Sequence, residues 1–518
     1  MGHRLEQAGV ATAYDAVAYP GYAYARTHPD RLATQAVLFG LRPAPVDRCR
    51  VLEIGCGDGG NLIPMALELP GSDFVGIDLA EQPVERGAAL ADELGLANVA
   101  LLALDVRELP EGLGTFDYVI AHGVYSWIPP EARDALLAAC GRHLAPQGVA
   151  FVSYNAYPGS YLRDMARDVL LFHVARFDDP ATRVSQARAL MELVVDAHAD
   201  TPYGRVLREH MQRLLEHRDW ALYHDDLAAV NTPVYFHEFV AHAERHGLQF
   251  LSEAELAESQ LPDVPAHVAA ALEQLPDDVV LREQYMDFVR NRMFRQTLLC
   301  RAQARPRRTI GLDALSGLWI ASPVRPAGPD ERGAVTYHGP RGSSLQTEDP
   351  LLQRALTILG RFWPEAVAFE DLVVRARRAI APDRSAAEDR RRLADVLLRA
   401  AAGSLVDLHA HPPRVARRAG DRPAASPLAR HQAANGDEIV TSLRHTSVRI
   451  DDPLAAFLLT RLDGTRDRPA LVGDVRAFVD GGGLDAFEGV SAPPECELPE
   501  ALERALDRLA ELALLTPD

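Results

Sequence analysis

Residues 51–61 constrain this chain more than any other stretch. Val51, Leu52 and Ile54 form a short apolar run that reads as a buried parallel strand. The run ends in glycines at 55, 57, 59 and 60, and a helical pattern follows from Leu62 to Leu69. Strand, glycine turn and helix make a nucleotide-sized cradle at the carboxyl edge of an α/β sheet. Glycines let the main chain turn sharply and let a ligand lie against bare backbone.

The glycine spacing alone does not name the ligand, because Gly55, Cys56, Gly57, Asp58, Gly59 and Gly60 satisfy both G-x-G-x-x-G and a looser G-x-G-x-G. Three acids favour S-adenosylmethionine over a dinucleotide. Glu53 precedes the first glycine by two residues, where it can orient groups around the amino-acid end of that cofactor. Asp78 closes the strand from Phe74, placed for both ribose hydroxyls. Asp105 closes the strand from Leu101, placed near an adenine amino group. Each acid alone would pass for a strand-end turn residue; three on successive strands fit a binding site better. The expected cofactor shell is Glu53, Gly55, Cys56, Gly57, Asp58, Gly59, Asn61, Asp78, Leu79, Asp105, Val106 and His122. Within it Cys56 is read as a small filler rather than a nucleophile.

Five strands are predicted in βα alternation: Arg50–Ile54, Phe74–Asp78, Val99–Leu104, Phe116–His122 and Gly148–Tyr154. This alternation predicts a doubly wound parallel sheet. Leu248–Ser252 and Phe294–Arg301 would complete seven strands. Residues 160–231 and about 253–290 then become insertions with helical spacing, such as Tyr161–Arg176 and Ala187–His198. They are expected to form a helical cap over the active-site face. The opening segment is aromatic, with Tyr14, Tyr19, Tyr22 and Tyr24. Most of these rings are expected to pack on the sheet, while Tyr14 or Tyr19 lines the methyl channel.

The acidic glycine turn with Asp78 and Asp105 resembles the class I methyltransferase signature. Narrower motifs are the run from His122 to Trp127, Ser153 to Asn155, and Tyr157 to Gly159. They resemble bacterial protein-lysine methyltransferases that modify outer-membrane proteins, within a wider family carrying a methyltransferase regulatory domain. The resemblance runs from about Tyr14 to the C-terminus. It implies a Rossmann-like seven-stranded sheet, S-adenosylmethionine as cofactor and a protein or peptide substrate, with lysine as first choice.

Methyl transfer is an in-line displacement, so a protein catalyses it by alignment and exclusion of water. A lysine acceptor must also arrive neutral, against a free pKa near 10.4. His122, Tyr125, Trp127 and Tyr154 are the residues expected around the methyl. Tyr125 would hold the amine, Trp127 would wall a channel with its ring face, and His122 would take a proton. Packing or strand-end duty is the alternative for each. Tyr14, Tyr19, Asn155, Tyr157, His224 and Tyr235 are the expected substrate contacts. Asp225 and Asp226 could receive an ammonium, but capping or turn duty fits them better.

At 518 residues the chain is too long for one core. Residues 1–305 are expected to form the methyltransferase domain. Beyond the linker around Arg305, the stretch opening at Asp349 repeats at Asp452, an offset of 103 residues. Each copy starts with an acid followed by proline, a helix start. Helices followed by a β-ribbon suggest two winged-helix-like units, over 306–420 and 421–518.

Five scattered cysteines point to a reducing compartment and supply no zinc spacing, so no metal is expected and a cytoplasmic location is. No apolar run reaches 18 residues, and Met1 to Val10 lacks the pattern of a signal peptide. A net charge of −19 disfavours nucleic acid and suits a basic or lysine-bearing partner. Self-association as a homodimer is left open. The arginine-rich run from Arg414 to Arg418 reads as a solvated linker. All 54 basic residues are arginine. A GC-rich genome accounts for that; so would an enzyme that methylates lysines and offers none of its own. Two rival functions share the scaffold: a methyltransferase acting on a small molecule or modified peptide, and a cofactor-binding regulator that grips DNA or a partner.

Overall fold

Apolar runs covered on both faces by helices require a mainly parallel sheet. The computed structural model describes residue 14 and residues 17–197, 201–259, 264–378, 385–483 and 494–517. Its main sheet comprises β1 (Arg50–Ile54), β2 (Asp73–Asp78), β3 (Val99–Ala103), β4 (Phe116–Ala121), β5 (Leu144–Asn155), β6 (Leu248–Glu253) and β7 (Phe294–Arg301). The spatial order is β3-β2-β1-β4-β5-β7-β6. β1 lies between β2 and β4, so the order reverses there and opens a crevice at their carboxyl ends.

β1 to β5 are mutually parallel, as the alternation predicts, but β7 runs antiparallel to both β5 and β6. Strand direction is invisible to hydrophobic patterning. Here it is set by the helix Val279–Arg290, which stops at Asn291 in the left-handed region. β7 therefore begins beside Asn155, at the carboxyl end of β5, and can only run back.

The first expected insertion is helical, and it reaches the cavity described below through Asp225, whereas the second contributes no described residue to that cavity's lining. Ser160–Val174, Pro180–Ala197 and Pro202–Leu215 share a core of Ala166, Leu170, Ala187, Met191, Leu207 and Met211. Arg163 and Arg167 tie it to the stretch after Pro202–Leu215, donating to the carbonyls of Asp225, Asp226 and Ala228. The second excursion contains Ala266–Glu273 and Val279–Arg290. His198, residues 260–263 and the segment from Met1 to Val10 lie outside the described residues.

The internal echo is two equivalent helix starts. Asp349 accepts from Leu351 N at 3.0 Å, and Asp452 accepts from Leu454 N at 2.9 Å, each capping a helix with proline at its start. The expected strand at Leu405–His409 forms over Asp407–His409, beside Trp319–Ala321. In the last unit the hairpin Ile439–Thr441 and Ser447–Arg449 precedes the repeated helix rather than following it. Leu351, Leu356 and Leu359 continue the core under the main sheet, whereas Leu502, Leu506 and Leu509 belong to a separate core near the C-terminus.

Arg295 on β7 is fully buried and gathers three acids. It donates to Glu253 at 2.6 Å, to Asp287 at 2.8 Å and to Glu283 at 3.0 Å. Its charge and that of Arg292 hold the Glu253 carboxyl below its usual range despite burial. Removing one member of a buried ion cluster leaves unpaired charge in a low dielectric. Arg295→Met should therefore cost about 3–5 kcal/mol of stability, read as a shifted midpoint in urea unfolding.

Candidate functional site

The turn after β1 is held by main-chain geometry. Gly55, Gly57 and Gly59 have φ values of 77°, 55° and 75°. That region strains side-chain-bearing residues. Gly55 N and Cys56 N both donate to Ile77 O, which pins the turn to the end of β2. The N-terminal segment crosses directly above. A Cβ on Gly60 would sit 2.5 Å from the Gly21 carbonyl carbon, so the two main chains touch.

Turn, N-terminal segment and cap enclose a cavity of about 500 Å³. Of the expected cofactor shell, Glu53, Gly55, Cys56, Gly57, Asp58, Asn61, Asp78, Leu79, Asp105, Val106 and His122 line it. Gly59 does not. It faces inward, where a Cβ would meet Leu101 and Ile63. Asp78 accepts from Gly57 N at 2.8 Å and from Ala80 N at 2.9 Å, so its carboxylate is oriented across the turn. Asp105 is committed differently from the expectation. It caps a short helix and pairs with the Arg107 guanidinium at 3.0 Å, which lowers its pKa. An adenine amino group would have to share that carboxylate with Arg107.

Glu53 carries the strongest electrostatic signal. It is 3% exposed, and burial pushes its pKa up to about 8. Asn61 Nδ2 donates to Oε1 at 2.7 Å, while Oε2 is buried without a hydrogen bond among the described residues. Asn61 is itself braced: its Oδ1 accepts from Tyr24 N and from Thr27 Oγ1, and lies 2.9 Å from His445 Nε2. His445 arrives from the last C-terminal unit with φ 55° and is 2% exposed. No local signal in the sequence marks this residue, because its partner is 384 positions away.

His122 stacks between Tyr24, at 3.9 Å between centroids, and Phe151, at 5.9 Å. Burial pulls its pKa down to about 4. It is neutral at physiological pH and a poor base, contrary to the expected proton-accepting role. Trp127 lines the cavity with Arg163 over its ring at 5.4 Å.

Tyr125 and Tyr154 are corrections. Both are buried in the core behind the cavity. The Tyr125 hydroxyl meets His242 Nδ1 at 2.8 Å, and Tyr154 meets Thr297 Oγ1 at 3.0 Å while stacking on Phe239. Successive strand residues face opposite sides, so Tyr154 cannot share the cavity side with its neighbours. Asn155 is buried and donates to Asn231 Oδ1 at 2.8 Å. Tyr157 and Tyr235 cluster with Tyr161 outside the cavity.

The rest of the cavity wall is built by residues far apart in sequence. Tyr14 stacks on His224 at 4.5 Å, and Tyr19 meets His224 and the Trp220 ring edge-on. Tyr14, Tyr19, Tyr22 and Asp225 all line the cavity, with His224 directly behind. Leu222–Asp226 is a π-helix turn, a rare form that recurs at functional sites. It presents Asp225 to the cavity while Asp226 is spent on Arg163 and His217. Burial raises the Asp225 pKa to about 6.

Comparison with known proteins places this geometry. Residues 52–150 match a methyltransferase domain, 218–301 a predicted methyltransferase regulatory domain, and 421–514 the PKMT C-terminal winged helix domain. The chain is 31% identical over 511 residues to the uncharacterized protein RP789 of Rickettsia prowazekii, covering 96% of this chain and 92% of that one. The structure of PKMT2 from Rickettsia typhi superposes with a TM-score of 0.86 at 27% identity, covering 96% of this chain and all of that one. The same protein in complex with AdoHcy gives a TM-score of 0.85. The cofactor is S-adenosylmethionine, and the cavity suits it. The unpartnered Glu53 Oε2 can meet a cationic amino group, and the space beside Gly57 is open.

An acid whose folded pKa lies above its unfolded value stabilises the fold below the unfolded value and loses that contribution as pH rises through the folded one. For Glu53 the window runs from about 4.5 to about 8. A cationic ligand that pairs with the carboxylate draws on the ionised form. Affinity for S-adenosylhomocysteine should accordingly rise from pH 6 to pH 8 in calorimetric titrations, and Glu53→Gln should flatten the profile. His445→Ala should weaken binding about 10-fold, the worth of one buried hydrogen bond at about 1.4 kcal/mol.

Proposed function

Because the chain belongs to the class I S-adenosylmethionine-dependent methyltransferases that carry a regulatory domain and a PKMT winged helix domain, we propose that it methylates a lysine side-chain amine in a protein or peptide. The observation that carries this reading is Asp225, a carboxylate among tyrosine rings in the cavity that also holds Glu53 and Asp78. Such a box suits a cation on an alkyl stem.

When bound, S-adenosylmethionine supplies an electrophilic methyl on a sulfonium centre. Glu53 and Asp78 are placed for its amino-acid and ribose ends. His122 stays neutral beside them and sets no positive charge against a cationic cofactor. Tyr24 keeps its proton, with its pKa pushed up to about 12 by burial, so its hydroxyl can orient an amine without competing as an anion.

The acceptor must lose a proton before it attacks. Burial lowers a lysine pKa by up to about 3–5 units. Burial also raises Asp225, so the gap between donor and acceptor narrows from both ends. In this scheme Asp225 first draws the ammonium in and then takes its proton, while the aromatic walls exclude water. A chain with no lysine of its own offers no competing acceptor.

The test is incubation with tritiated cofactor and an extract of the source cell, followed by mass spectrometry. Label on a lysine of one protein is expected, and label on a small product would overturn the reading. Asp225→Asn should lower kcat/KM for the labelled substrate about 10²-fold or more, with affinity for S-adenosylhomocysteine unchanged.

A further inference from the structure

We infer that Asp134, His242 and His246 form a binding site for a divalent transition metal, zinc being the ion their chemistry suits best. His242 lies on the helix Phe236–Arg245 and His246 is its C-cap residue. Four residues apart on a helix, they share a face. Asp134 reaches them from the helix Pro130–His143. The Nε2 atoms of His242 and His246 lie 3.0 and 2.8 Å from the same oxygen, Asp134 Oδ1. All three ligand atoms fall within 4.8 Å of one another.

Zinc binds imidazole nitrogen and carboxylate oxygen at about 2.0–2.2 Å in tetrahedral sites. Ligand atoms around such an ion are about 3.3 Å apart. Both contacts to Asp134 fall just inside that spacing, the two histidine nitrogens lie within 4.8 Å of each other, and the half-exposed Asp134 leaves a position for water.

Two further features belong to a built site. His242 Nδ1 meets the hydroxyl of the buried Tyr125 at 2.8 Å. Metal-binding histidines are oriented through this second nitrogen. With a metal on Nε2, Nδ1 keeps its proton and donates to the Tyr125 oxygen. Gly141, in turn, sets the distance between the two helices. A Cβ there would lie 2.1 Å from the His246 carbonyl oxygen, so only glycine lets Asp134 and His246 approach. The site would clip residues 218–301 to the methyltransferase domain. Through Tyr125 it would steady the turn carrying Trp127, which lines the cofactor cavity.

The test uses tag-free, full-length protein stripped with a chelator. Zinc is titrated in competition with a chromophoric chelator, and melting is followed with and without zinc. We expect one tight equivalent per chain and a higher melting temperature with zinc. Asp134→Asn and His246→Gln should each abolish both effects, and Tyr125→Phe should weaken zinc about 10-fold. Asp134 is exposed enough for its variant to fold, which circular dichroism checks. Zinc binding no stronger in the parent than in His246→Gln, or no stoichiometric binding at all, would overturn the site and leave the three residues as hydrogen-bond partners.

Discussion

Glu53 holds a carboxylate where little water reaches, and a buried charge must be met by partners or shed its charge. One oxygen is met by Asn61, and Asn61 is met in turn by Tyr24, Thr27 and His445. Three distant parts of the chain thus converge on one side chain: the glycine turn, the N-terminal segment and the last C-terminal unit. Among the described residues the other oxygen has no partner. A site that keeps a carboxylate half satisfied favours a cationic ligand group over water. The same hydrogen bonds tie Glu53 to a unit whose core is otherwise separate.

The opposite wall of the cavity obeys the same logic with different materials. Rings from the N-terminal segment pack on those of Trp220 and His224, and a π-helix turn brings one acid forward while its neighbour is neutralised. An ordinary helix would advance each residue by 100° and present a different pair. The extra residue in the turn decides which of Asp225 and Asp226 reaches the cavity. Sequence alone favoured capping or turn duty for both.

Local patterning was legible wherever one residue's neighbours in sequence are also its neighbours in space. The strands β1 to β4, the helix starts at Asp349 and Asp452, and the acids at the ends of β1 to β3 all follow from short-range rules of alternation, capping and glycine freedom. Tyr125 and Tyr154 show where those rules stop. Each sits near the expected edge, but which side its ring takes depends on Phe239, His242 and Thr297, more than 80 residues away.

By itself, the sequence determined the glycine turn, the alternating sheet and the acids at its edge, because a few adjacent residues suffice to specify each. Tertiary structure alone decided the reversal of β7, the inward turn of Tyr154, the neutrality of His122, the presentation of Asp225 to the cavity and the reach of His445 to Asn61. All of these depend on burial and on contacts between segments far apart in the chain. Desolvation and long-range packing have no local signature.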